Sequence, residues 1–122
     1  MGQRFIQEGT GWRLGWDDTA PCYKGLLGGV GWALELTEPE FEVFCRLAHQ
    51  VTQSMVAMTT ELMEEERLTC EADSDLVWLE VEGFPTDYTL RFMLHTGRRG
   101  EGQWDGQAAE QLVQAITHLT VF

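Results

Sequence analysis

The sequence predicts an α+β fold in which antiparallel strands and a helix are followed by antiparallel strands and a second helix. A stripe of apolar residues from Phe41 to Leu62 recurs at three- and four-residue steps, the period of a helix lying against a core. On either side of it, short alternating segments are joined by links of a few residues, which implies antiparallel pairing. The chain has 122 residues, of which 43% are hydrophobic and 23% charged. That is enough for one domain over residues 1–122 that buries roughly two thirds of its unfolded surface.

In chain order, residues 4–8 and 10–17 read as strands, residues 18–24 as a loop, and residues 25–36 as one strongly patterned strand. In that strand Leu26, Val30, Trp32, Leu34 and Leu36 are expected on one face, with Leu27, Gly29, Gly31 and Ala33 on the other. The first helix starts at Thr37-Glu38-Pro39-Glu40. Thr37 and Glu40 are spaced for a capping box, Pro39 is harmless in a first turn, and Leu36 and Phe41 are spaced for a hydrophobic staple. If it runs to about Met63 it is near 39 Å long at ~1.5 Å per residue, so part of it is expected to pack on another subunit. Strands follow at 67–72, 76–82 and 88–95 and near Gln103 and Trp104, with a closing helix over 107–119.

Several function classes lose their standard support. The longest uncharged apolar run, residues 25–34, is too short for the ~20 residues of a membrane helix, and no signal peptide is legible, so a cytoplasmic protein is expected. Cys22, Cys45 and Cys70 lack any Cys-x-x-Cys spacing, which argues for reduced thiols and against a disulfide framework or zinc site. No Walker, Gly-x-Ser-x-Gly, His-Glu-x-x-His or dinucleotide fingerprint occurs, and only two serines exist. His49, His95 and His118 fall on different elements. No catalytic residue, metal or cofactor is assigned.

Charge is the strongest anomaly. The formal net charge is −12 and the pI near 4.4. From Glu61 to Asp87 ten carboxylates face only Arg67. Glu64, Glu65, Glu66, Glu71, Asp73 and Asp75 form the candidate acidic surface, a solvated face or one that takes a cation or basic partner. The best cationic and stacking set is Trp78, Arg91, His95, Arg98 and Arg99, which a predicted hairpin places together outside the core.

The runs Gly11-Trp12-Arg13-Leu14-Gly15, residues 29–37 (GVGWALELT) and residues 71–80 (EADSDLVWLE), followed by Leu90-Arg91-Phe92, resemble the domain-of-unknown-function family 1818 over nearly the whole chain. The resemblance implies a lineage of oxygenic photosynthetic cells and a fold similar to the Whirly and PC4-type regulators that bind single-stranded DNA, which pair two sheet-plus-helix units and oligomerise through helices. It brings no catalytic residue. Whirly proteins hold single strands with a lysine-glycine-lysine segment, whereas here Lys24-Gly25 is followed by Leu26 and no other lysine exists. Phosphate neutralisation dominates such binding, and a strongly acidic chain opposes it. The expected function is therefore a non-enzymatic, oligomeric (dimeric) module that contacts a protein partner, with a single-stranded nucleic-acid-binding regulator as the alternative.

Overall fold

A computed structural model describes residues 2–59 and 66–119. It is α+β: two four-stranded antiparallel meanders, each followed by a helix. The first sheet contains β1 (Arg4–Gly9), β2 (Trp12–Asp17), β3 (Gly25–Gly29) and β4 (Trp32–Leu36), paired in sequence order.

The expected single strand over 25–36 is two strands. Its chain reverses at Val30-Gly31, where Gly31 takes a φ of +77°, a conformation that side chains disfavour. β1 and β2 turn in the same way at Thr10-Gly11, with Gly11 at +82°. In each hairpin the tryptophan after the turn pairs with a glycine, Gly9 with Trp12 and Gly29 with Trp32, and a Cβ on either glycine would overlap the indole. Gly-x-Gly-Trp-x-Leu thus occurs twice, at 9–14 and 29–34, as one hairpin unit. The reversal also corrects the faces. Leu27 sits opposite Leu34 and is fully buried beside Leu36, Leu26 lies on the outer face, and Val30 is 84% exposed at the turn.

Helix α1 (Glu38–Thr59) begins where the capping box predicts. Glu40 Oε1 accepts the Thr37 backbone N–H at 2.8 Å, Thr37 Oγ1 accepts that of Glu40 at 3.4 Å, and Leu36 and Phe41 are both fully buried. Phe41 occupies the space a side chain at residue 25 would need, so Gly25 lets the helix start lie flat on β3. Phe44, Cys45, Leu47, Ala48, Val51 and Met55 continue the buried stripe. The described helix is ~33 Å long at ~1.5 Å per residue. The chain's own strands cover its apolar stripe as far as Met55, and beyond that Val56 and Met58 are exposed. Leu62 and Met63 lie outside the described residues.

The second sheet contains β5 (Leu68–Asp73), β6 (Val77–Phe84), β7 (Asp87–Leu94) and β8 (Glu101–Asp105), again in sequence order, and α2 (Gly106–Thr117) closes the chain. Helix α1 crosses over to pack mainly on β5 and β6, while α2 bridges β7 and β2. The two sheets therefore share one core. At their seam, Trp32, Phe44, Phe92 and Trp104 form an aromatic cluster in which Phe92 and Trp104 stack at 5.5 Å. The Trp104 indole N–H donates to the buried Gly28 carbonyl at 2.8 Å, and the bare Gly102 leaves room for the Trp32 ring. Fully burying each such ring contributes about 3 kcal/mol. No helix among the described residues is long and apolar enough to cross a membrane.

Candidate functional site

Because side chains alternate across a strand, the register that buries Cys70, Ala72, Leu79, Val81, Leu90 and Phe92 fixes what β5 to β8 present to solvent. The outward positions include Glu71, Asp73, Glu80, Glu82, Asp87, Glu101 and Asp105, with Arg91 the one arginine on these strands and Arg67, just before β5, donating to Glu82 at 3.0 Å. Glu71 stands directly opposite Glu80 across β5 and β6, an arrangement that repels. Each carboxylate has local relief. Glu71 accepts the Trp78 indole N–H at 3.2 Å, and Glu80 accepts the Arg91 guanidinium at 2.5 Å.

Trp78 lies half-buried on this outer face, with the Arg91 guanidinium 5.9 Å above its ring centroid. Trp78, Met93 and Glu101 stand opposite one another across β6, β7 and β8. Beside them a cleft of about 420 Å³ opens, walled by Trp78, Arg91, Met93, Glu101 and Gln103 and reaching Trp32 and Phe92 past Gly102. Glu80, with Glu82 and Glu101 beyond it, raises the Arg91 pKa above its ordinary value. That base is already committed.

The expected cationic set is only partly gathered. Trp78 and Arg91 meet, and His95 Nε2 lies 2.6 Å from Asp73 Oδ1 at the edge of the same face. Arg98 turns the other way. It donates to the Glu35 carbonyl at 2.5 Å and to the Glu40 carboxylate, and lies 4.7 Å over the Tyr23 ring, tying the β7–β8 link to the start of α1. Arg99 is exposed in that link with a φ of +49°. Among the expected acidic residues, Glu71 and Asp73 belong to the face, Asp75 is exposed in the next turn, and Glu66 is exposed just before β5. Glu64 and Glu65 lie outside the described residues. The face contribution of Glu101 and Asp105 escaped the sequence reading, because they are distant in sequence and join only through the β7–β8 register.

No group of three or more His, Cys, Asp or Glu that could hold a metal occurs among the described residues. Burial pushes the Cys45 thiol up to about 12 and raises that of Cys70, which makes both poor nucleophiles, while Cys22 is exposed.

No protein with a curated description matches the chain. Its structure is similar to the crystal structure of a protein of unknown function from the DUF155 family of Prochlorococcus sp. NATL2A, with a TM-score of 0.87 and 24% identity over 94% of this chain and 97% of that one. At that identity the likeness shows the fold. The model of the domain of unknown function DUF1818 matches residues 7–119, and the chain therefore belongs to the DUF1818 family.

Proposed function

We infer that the protein is a non-catalytic binding module whose second sheet docks a basic protein surface. The observation that carries this reading is the outward face of β5 to β8, which presents seven carboxylates together with the half-buried Trp78 and the exposed Met93, while the two arginines that reach it, Arg91 and Arg67, are already ion-paired with Glu80 and Glu82. Charge of one sign steers a complementary partner, and an accessible aromatic with a thioether beside it supplies apolar contact. Self-association through the end of α1, where Val56 and Met58 are exposed, belongs to the same reading.

The test is fluorescence anisotropy with a labelled oligo-arginine peptide, run beside a labelled single-stranded DNA. The expected result is peptide binding that weakens with salt and falls about tenfold when Glu71→Gln, Asp73→Asn and Glu82→Gln are combined. Tighter binding of the DNA would replace this reading with the nucleic-acid alternative.

A further inference from the structure

We propose that the cleft beside Trp78 is a receptor for one arginine side chain of the partner. This deepens the docking reading above and rests on it. At ~4.8 Å between neighbouring strands, the row from Trp78 through Met93 to Glu101 spans about 10 Å, enough to lay out an arginine stem and head.

Each member of the row has a use. The Trp78 indole is held in place by its bond to Glu71, and it already lies beneath the Arg91 guanidinium at 5.9 Å, so this ring accepts such a group within the chain itself. Met93 is 39% exposed and offers a polarisable surface to the methylenes of a stem. Glu101, exposed on β8, makes no ion pair with any described residue, which leaves its carboxylate free to accept a planar guanidinium with two parallel N–H bonds.

An anionic ligand fits the same walls poorly. It would have to take Arg91 from Glu80, whose side chain is 14% exposed and which holds the guanidinium at 2.5 Å, and it would meet Glu101 beside it. A neutral ligand would leave Glu101 without a direct ion pair. The cleft thus selects for a cation with a flat head and an aliphatic stem.

The experiment is NMR titration of the full chain with N-acetyl-arginine amide, following the Trp78 indole N–H and the Met93 methyl group, with N-acetyl-citrulline amide as the uncharged control of the same shape. Saturable shifts of both reporters with the arginine amide and none with the citrulline amide are expected. Glu101→Gln, an exposed and conservative change, should weaken the binding about threefold. Trp78→Leu should weaken it about fivefold as read from Met93. Equal responses to the two amides, or affinity unchanged by Glu101→Gln, would overturn the proposal. If oligo-arginine binds while both reporters stay silent, the cleft assignment fails and the docking face stands. If oligo-arginine does not bind either, both fail.

Discussion

The two sheets bury their inner faces in one core but turn very different outer faces to solvent. On the first, Ile6, Gly15, Leu26 and Glu35 form one row and Glu8, Arg13, Gly28 and Ala33 the next. Its charges are largely paired within the sheet, Arg13 with Glu8 at 3.1 Å and Arg4 with Asp17 at 3.9 Å. The Asp17 carboxyl is held below its ordinary pKa, chiefly by hydrogen bonds from Thr19. The second sheet has ion pairs of its own, Arg91 with Glu80 and Arg67 with Glu82, but its carboxylates outnumber its arginines and Glu71 stands against Glu80. Core packing constrains inner residues and leaves outer ones free, so a repulsive outer face is not something folding demanded. Such an arrangement is expected where a surface is kept for a partner at some expense in stability.

Cutting the core that the two sheets share should have the largest effect. Trp104→Ala removes the buried ring that binds β8 to Gly28 and should cost about 4 kcal/mol, read as a lower midpoint in denaturant unfolding. A loss below about 1 kcal/mol would mean that the sheets do not fold through one seam. Next in size is Glu40→Ala, which removes the buried carboxylate that accepts from the exposed Arg98 and from the Thr37 N–H. About 2 kcal/mol is expected, and the companion Arg98→Ala should not add its full effect to it.

Alkaline pH probes the same core. The Tyr88 phenol is pushed up from its ordinary 10.0 to about 12 by burial and by Glu110, and the Cys45 thiol from 9.0 to about 12 by burial. Each group keeps its proton longer in the folded chain than in the unfolded one. Stability is therefore full below about pH 9 and declines as pH rises towards 12. Tyr88→Phe and Cys45→Ala should flatten that decline in thermal melts taken across the range.

The smaller effects sharpen the contrast between outer faces. Gly31→Ala forces a side chain to φ +77° in the first sheet's hairpin and should destabilise by about 1 kcal/mol. On the second sheet, Glu71→Gln relieves the repulsion with Glu80, and stability should hold or rise by up to about 0.5 kcal/mol while capture of oligo-arginine weakens. A clear loss of stability there would show that the carboxylates hold the sheet together, contrary to the docking reading.

What depends on near neighbours could be read from the chain alone. The start of α1 was legible because Thr37, Glu40, Leu36 and Phe41 interact within one turn, and the buried faces of β5 to β7 because alternation is local. Trp78 was legible as an outer-face residue for the same reason. The reversal at Val30-Gly31 was present as the twofold Gly-x-Gly-Trp-x-Leu unit, but apolar residues run through the turn and mask it. Only the tertiary structure decided that Arg98 leaves the cationic set for Glu40, that Glu101 joins Trp78, and that Trp32 fills the space above Gly102. Each of these pairs residues from separate elements, two of the three from separate halves of the chain. Their meeting depends on register and on the crossing of α1 onto the second sheet, which no short stretch of sequence encodes.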